Sequence, residues 1–580
     1  MFDELLKVYR DDFHKGRYGN LNIGIGDADA ARGEPITCVS PGERCFSDID
    51  YDGLDRASWR ACTHLYRLKA LAKAYREGDG SVGIETLTEL LAFWLARDPL
   101  SENWWYNMIG VPTELCAVAV LLWDELAPET RILVLSRIAR GVVFIRNDMS
   151  RWDRQTGANM LWLSFITMTY AILARDTTLF RHSVSLAEGE THFGTEGIQR
   201  DGSFFQHGRR LYSGGYGRSF IGAVTPMIRL ASVTPYAFSE DSLERIMIHV
   251  SGLSHMIHRT TLDYAVVGRE YVREGALDAS RLITALELLF EAPGLPRKTE
   301  LQTFISALKA RTPTFDGVKV FAEAGYLCMQ KDGVFIAHKG TPYETVDAET
   351  FNGENLLGYN LSFGTHTTVM QTGREYCGIH AVWDYALIPG TSVPYMNDEE
   401  LLCAPAFNKR VPTVTEYAAY SDGDVAVMCT DVTHEGIRAR VAAFATPYGM
   451  VLLGNSLSDE KGRRMLSTVE QCIKTGDVLI SDTEVRHGQV VYKCLDPDEK
   501  LTVKTETRTA SMKRNRQSNP DREARAEILT VTLDRGEKDS YAYVIAPTTV
   551  SLDGLTVVSN TENEQSVKLP DGRIINAKRK

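Results

Sequence analysis

Between residues 60 and 290 apolar side chains recur at spacings of three and four, as in Leu65, Leu68, Leu71, Ala72 and Tyr75, then Ile84, Leu87, Leu90, Leu91, Trp94 and Leu95. That period places them on one face of a helix. Further amphipathic helices are predicted over about 114–126, 130–145, 158–174, 217–231, 241–258 and 278–291, joined by short connections into antiparallel hairpins. After Thr312-Pro313-Thr314 the pattern shortens to β-rich runs. Val318 to Gln330, the turn Lys331-Asp332-Gly333 and Val334 to His338 read as a hairpin, as do Arg440 to Thr446, Pro447-Tyr448-Gly449 and Met450 to Gly454. The basic run Lys513-Arg514-Asn515-Arg516-Gln517 reads as a solvated loop.

These textures predict an α+β multidomain chain: a helical domain over 1–310, a central antiparallel β-sandwich over 311–495 and a small C-terminal β domain over 496–580. A chain of 580 residues, 44% hydrophobic and 24% charged, is soluble globular material too long for one core. The net charge of −12 argues against a general nucleic-acid binder. Ten scattered cysteines without a C-x-x-C pair indicate neither a zinc ribbon nor a disulfide scaffold. The first residues, Met1-Phe2-Asp3-Glu4-Leu5-Leu6-Lys7, carry acids where a secretory leader has a basic segment, and no later run is expected to span a membrane. As written the chain is expected to be cytoplasmic, or secreted if a leader has been removed. It is expected to act as a monomer, without nucleic-acid or membrane partners.

The most chemically informative stretch is Asp201-Gly202-Ser203-Phe204-Phe205-Gln206-His207, followed by Tyr216 within Tyr212-Ser213-Gly214-Gly215-Tyr216-Gly217. It brings an imidazole and a phenol, both able to move protons, together on a glycine-rich segment. The stretch resembles the signature of polysaccharide lyase family 8, which includes the hyaluronate, chondroitin AC and xanthan lyases. Further segments similar to the family's follow in its order: Asn103-Trp104-Trp105-Tyr106-Asn107-Met108-Ile109-Gly110-Val111-Pro112, Thr156-Gly157-Ala158-Asn159, Val267-Gly268-Arg269-Glu270-Tyr271-Val272-Arg273 and Glu349-Thr350-Phe351-Asn352-Gly353-Glu354-Asn355-Leu356. Trp383 with Leu387-Ile388-Pro389-Gly390-Thr391, Thr468-Val469-Glu470-Gln471 and Asp539-Ser540-Tyr541-Ala542-Tyr543-Val544 complete the resemblance.

The resemblance implies that the helical domain is an incomplete (α/α) toroid followed by antiparallel β-sandwich domains. It also implies a lyase that cleaves a uronic-acid-containing glycan, hyaluronan or chondroitin in preference to xanthan side chains, by β-elimination. The C5 hydrogen of a uronate is weakly acidic, so its removal requires the adjoining carboxylate to be masked. Asn159 is the candidate for that task, although its place at the start of the helix Met160 to Leu173 also suits a helix cap. Tyr216 is the candidate base and the acid for the departing oxygen, with Arg269 and Arg273 as cations that would stabilise its phenolate. His207 is a second candidate base, or an orienting group for the phenol. Which of the two abstracts the proton is left open by sequence.

Trp104 and Trp105, flanked by Asn103 and Asn107, would form a platform for sugar rings; neighbours on a helix point about 100° apart, so the alternative reading is that one indole is core. Near the family's third patch aromatic the sequence has Trp152, with Asp153 at the matching position. Glu349, Asn352 and Glu354 would hold Tyr216 or an arginine in place, or bond sugar hydroxyls. Local positive charge for an acidic polysaccharide or oligosaccharide would come from Arg209, Arg210, Arg218, Arg269 and Arg273. No cofactor and no metal are expected, because no cluster with ligand spacing accompanies these residues. Two rival readings remain: a toroid glycoside hydrolase using Asp153, Glu196 and Asp201, and a silent glycan-binding protein using only the tryptophans and arginines.

Overall fold

The computed structural model describes residues 1–18, 36–80, 82–144, 155–402, 408–481 and 483–578. Trp152, Asp153 and Cys403 lie outside the described residues. The chain divides into two compact units. One comprises Met1–His192, Arg218–Met247 and Arg281–Lys298; the other comprises Phe193–Gly217, Ile248–Ser280 and Thr299–Lys580.

The first unit is helical, and Gly157–Ala174 is its central element. Nearly every position of this helix is buried, because it packs against Phe2–His14, Val111–Leu122, Pro128–Ile138, Thr177–Gly189 and Arg218–Ala231. At 18 residues it is long and apolar enough to cross a bilayer, contrary to the expectation that no run would be, but 89% of it lies inside the protein. A helix apolar on all faces is what a core position surrounded by other helices requires. The helix predicted over 130–145 stops at Ile138 and tightens to a 3₁₀ turn through Gly141. The one predicted over 217–231 is observed as Arg218–Ala231.

The second unit is dominated by antiparallel sheet. Gly317–Phe321, Tyr326–Lys331, Val334–Lys339 and His366–Met370 make a four-stranded meander. Its central hairpin turns at Asp332 and Gly333, both at positive φ, as a two-residue hairpin demands. An eight-stranded sheet runs Thr413–Asp422, Val425–His434, Ile437–Thr446, Gly449–Asp459, Tyr541–Pro547, Val490–Cys494, Glu484–His487 and Val478–Ile480. Residues beyond 495 thus supply a strand to a sheet begun near 413. Lys500–Ser511 and Glu523–Asp534 likewise join Met465–Ile473 and Ser392–Pro394 in a second four-stranded sheet. The last strands, Thr556–Asn560, Gln565–Lys568 and Ile574–Asn576, form their own sheet. Its Val567 and the neighbouring Leu555 and Leu569 share a core with Val427, Phe444, Leu453 and Val544 of the large sheet.

Candidate active site

The second unit gathers His207, Tyr216, Arg269, Arg273, Glu349, Asn352 and Glu354 from three stretches of chain. Ile198 and Phe204 pair across the turn Asp201-Gly202. Asp201 accepts from the Ser203 amide at 3.0 Å and hydroxyl at 2.6 Å, and from the Glu323 amide at 2.8 Å. Gly202 is obligatory there: its φ is +92°, and a Cβ would sit 2.8 Å from the Ile248 carbonyl oxygen. Glu196 accepts from the Gln206 amide group at 2.7 Å and from the Gly208 N–H, closing the loop that presents His207. Both carboxylates assigned to the hydrolase reading that lie among the described residues therefore build this turn.

His207 sits at φ 64°, a strained conformation for a non-glycine residue. Its Nδ1 is 3.0 Å from Glu349 Oε2. A carboxylate can only accept, so this bond places the ring proton on Nδ1 and leaves the Nε2 lone pair free of it. The Tyr216 ring, on the π-helical turn Ser213–Gly217, lies 4.9 Å from the His207 ring and 4.9 Å from that of Tyr212. Tyr212 is buried with its ring against Gly268, where a Cβ would fall 2.2 Å from the phenol carbon and φ is +59°. Its hydroxyl donates to Glu349 at 3.2 Å and lies 3.3 Å from Arg269 Nη1.

Arg269 and Arg273 lie on and just after the 3₁₀ turn Gly268–Val272, and neither is part of an exposed surface pair. Arg269 is buried; its Nη1 donates to Glu349, and its Nε donates to Glu354 at 3.0 Å. Arg273 grips Glu354 through Nε at 2.7 Å and Nη2 at 2.9 Å. Burial alone would raise the Glu349 carboxyl, but the charge of Arg269, the hydrogen bond from His207 and the charge of Arg210 overcome it and hold the group well below the usual carboxylate range. Glu354 behaves the same way: burial opposes ionisation, but Arg273, Arg269 and Arg516 bring it down to about 2. These arginines are therefore neutralised in place and are not free cations awaiting a polyanion.

The Tyr216 phenol is raised from its ordinary value, chiefly by burial; Arg269 lowers it, while Glu270 and Glu349 raise it. The expectation that the cations would depress this group is met only by Arg269, and burial outweighs it. Arg273 is committed to Glu354 and to Glu270, at 3.3 Å.

Asn352 and Gly353, at φ 52° and 71°, form the tip of a tight turn closed by reciprocal bonds between Phe351 and Glu354. This is the Asn-Gly turn its sequence dictates. Sequence reading missed Asn355, whose buried amide donates to the Glu349 carbonyl at 3.0 Å and accepts from the Tyr271 hydroxyl at 2.8 Å. It also misread the basic run. Asn515 is fully buried, with its Nδ2 3.0 Å from the Tyr271 hydroxyl, and Arg516 Nε donates to Glu354 at 2.8 Å. The buried acid that attracts Arg516 is remote in sequence, so composition of the run alone could not signal it.

Asn103, Trp104, Trp105 and Asn159 belong to the helical unit. Trp104 is 41% exposed, whereas the Trp105 ring packs edge-on against Trp162 at 5.7 Å and Tyr106 at 5.3 Å. Asn103 spends its amide on local structure, accepting from the Trp105 N–H at 3.1 Å and donating to the Arg56 carbonyl at 2.8 Å. Asn107 is similarly used, bonding the Ser101 backbone at 2.9 and 2.8 Å. The helix Gly157–Ala174 has Thr156 as its N-cap residue, so Asn159 is not the cap. It is nonetheless buried, and its Oδ1 has no hydrogen-bond partner among the described residues. Such a group costs about 1–3 kcal/mol and calls for an explanation.

A tyrosine–histidine pair set on a buried carboxylate–arginine cluster is an arrangement equipped to move protons. The match to known families is specific. "Polysaccharide lyase family 8, N terminal alpha-helical domain" covers residues 34–307, and "Polysaccharide lyase family 8, super-sandwich domain" covers residues 316–556. The chain belongs to polysaccharide lyase family 8. It is 24% identical over 569 residues to chondroitinase-AC of Pedobacter heparinus, spanning 91% of this chain and 78% of that protein. It is 23% identical over 625 residues to a hyaluronate lyase of Thermasporomyces composti, spanning 92% and 78%. A solved chondroitinase AC lyase, studied as enzyme–oligosaccharide complexes, superposes with a TM-score of 0.83 at 21% identity over 97% of this chain and 87% of that one. That likeness establishes the fold: an (α/α) toroid followed by antiparallel β-sandwich architecture.

Proposed function

We infer that the protein is a polysaccharide lyase that cleaves a uronic-acid-containing glycan, hyaluronan or chondroitin, by β-elimination, leaving an unsaturated uronic acid. The observation that carries this reading is the Tyr216 ring 4.9 Å from His207, with His207 held on Glu349 and Glu349 held by Arg269. Tyr216 as phenolate takes the C5 proton; the electron pair left on C5 becomes the C4–C5 double bond, and the C4–oxygen bond breaks. The same phenol then returns its proton to the departing oxygen, so no water is consumed and no net proton is gained. Arg269 favours the phenolate by charge and hydrogen bonding. Glu349 fixes the His207 tautomer, so the imidazole can bond substrate through Nε2 and orient it against the phenol.

The test is a panel of uronate glycans followed by ultraviolet absorbance and product mass. A conjugated product one water lighter than its hydrolytic counterpart is expected from hyaluronan or chondroitin. Products carrying the added water would establish hydrolysis, and unaltered polymer bound by the protein would establish a binding module.

A further inference from the structure

Glu354 is fully buried and is met by three arginines from two distant parts of the chain: Arg269 on the 3₁₀ turn and Arg273 just after it, and Arg516 from the loop between Lys500–Ser511 and Glu523–Asp534. A carboxylate has about four lone-pair sites, and here the Nε groups of all three guanidiniums, at 3.0, 2.7 and 2.8 Å, and Arg273 Nη2, at 2.9 Å, make four bonds to it. The loop bearing Arg516 is fastened on every side. Arg516 Nη1 donates to Asn519 Oδ1 at 2.6 Å, Asn519 Nδ2 donates to the Val272 carbonyl at 3.1 Å, and the Gln517 amide donates to the Gly353 carbonyl at 3.2 Å. Asn515 Oδ1 accepts from the Leu357 amide at 2.7 Å.

We propose that Arg516 is a positioning residue of the active site: by sharing Glu354 with Arg269 and Arg273, it fixes the Arg269 guanidinium where its Nη1 serves Glu349 and Tyr212. The physical reason is geometric and electrostatic. Arg269 bridges two buried carboxylates, Nε to Glu354 and Nη1 to Glu349. Remove Arg516, and Glu354 is left with less neutralising charge, so it draws Arg269 and Arg273 more strongly to itself at the expense of the Glu349 side. The phenol of Tyr216 faces Arg269, Glu270 and Glu349 and is ringed by His207 and Tyr212. Among these only Arg269 acts to favour the phenolate, so its displacement is felt there first.

This inference rests on the lyase reading for its kinetic arm but has an independent structural arm. Crystal structures of the full-length wild type and Arg516→Gln are expected to show Arg269 Nη1 withdrawn from Glu349 in the variant; an unmoved Arg269 overturns the proposal. In kinetics, Arg516→Gln is expected to lower kcat by between about tenfold and 10²-fold with KM within about twofold, and to shift the alkaline rise of kcat to higher pH. Arg516→Lys restores the charge but not the guanidinium fork, and is expected to recover part of kcat. Arg514, two residues earlier, pairs with Asp398 at 2.6 Å and bonds the Ala381 and Trp383 carbonyls. Arg514→Gln should therefore lower the melting temperature and leave kcat and its pH profile in place. An equal kcat loss in Arg514→Gln would assign both residues to loop folding and overturn the proposal. If Arg516→Gln does not fold, Arg516→Lys decides: several-fold lower kcat with an alkaline shift supports the role, and wild-type kcat refutes it. Wild-type protein that forms no unsaturated product would sink the lyase reading, leaving the position of Arg269 to decide the present one.

Discussion

Tyr216 and Asn159 carry the sharpest predictions about single side chains. Tyr216→Phe keeps the ring between His207 and Tyr212 and deletes only the oxygen, so kcat should fall by about 10²-fold or more with KM little changed. A variant keeping more than about a tenth of kcat would move the base to His207. Because burial raises the phenol above its ordinary value, phenolate is scarce near neutrality, and kcat should climb with pH into the alkaline range. A flat profile over that range would remove the phenolate from the mechanism. Asn159 cannot transfer a proton, yet its Oδ1 is buried without a partner among the described residues, and Thr156, not Asn159, occupies the cap. Asn159→Ala should then cost on the order of 10²–10³ in kcat, as loss of a preorganised hydrogen-bonding group does, without the roughly 1 kcal/mol loss of stability expected of a cap. Melting and turnover measured on one preparation decide it; an active but destabilised variant would return Asn159 to a structural role.

At the scale of elements, the turn from Asn103 into the following helix separates two jobs that the sequence presents as one motif. Asn103 and Asn107 hold backbone, Trp105 is wedged against Trp162 and Tyr106, and Trp104 projects outward. Trp104→Ala is accordingly expected to raise KM for long chains several-fold with kcat nearly unchanged, while Trp105→Ala should lower the melting temperature as well. Equal KM effects without any stability difference would contradict this division. What was legible in the sequence follows from range. Helices announced by a local period, such as Arg218–Ala231, and the Asp332-Gly333 hairpin were readable because their cause lies within a few residues. The resemblance to the family's motifs likewise marked His207, Tyr216, Arg269 and Glu349, which the second unit brings together. The grouping of 193–217 and 248–280 with the sheet-rich unit was not readable, because it depends on ties such as His207 to Glu349, 142 residues apart. Arg516 was misread for the same reason: a basic run looks solvated until the buried acid 162 residues away is known. Trp105 and Asn103 show the converse, since residues typical of sugar binding can equally be spent on packing and capping.

Over the whole molecule, buried carboxyls of opposite character should shape stability against pH. Glu470 is fully buried on Met465–Ile473, accepting from the Tyr376 hydroxyl at 2.7 Å, the Tyr492 hydroxyl at 2.9 Å and the Gln471 amide at 2.9 Å. Burial outweighs these bonds and pushes its carboxyl up to about 8, while Glu499 is pushed up to about 7 by the same cause. Between the ordinary value of 4.5 and 8, the folded protein holds a proton on Glu470 that the unfolded chain has lost, so stability falls as pH rises through that window. Glu354, held down to about 2, has the opposite sign: its contribution is present above 4.5 and is lost as pH falls toward 2. Buried histidines add a further contribution: His64 and His338, lowered by burial to about 3, stay neutral in the fold, so the stability they give is present above 6.5 and is lost as pH falls below it. The share of Glu470 is therefore read from its variant and not from the wild-type profile. Glu470→Gln, which keeps the shape and offers an acceptor to one tyrosine and a donor to the other, should gain a few degrees of melting temperature relative to the wild type between about pH 5.5 and about pH 8.5. A Gln variant whose difference from the wild type is the same at both pH values would show that Glu470 is already ionised in the fold, with its charge compensated by the two tyrosines.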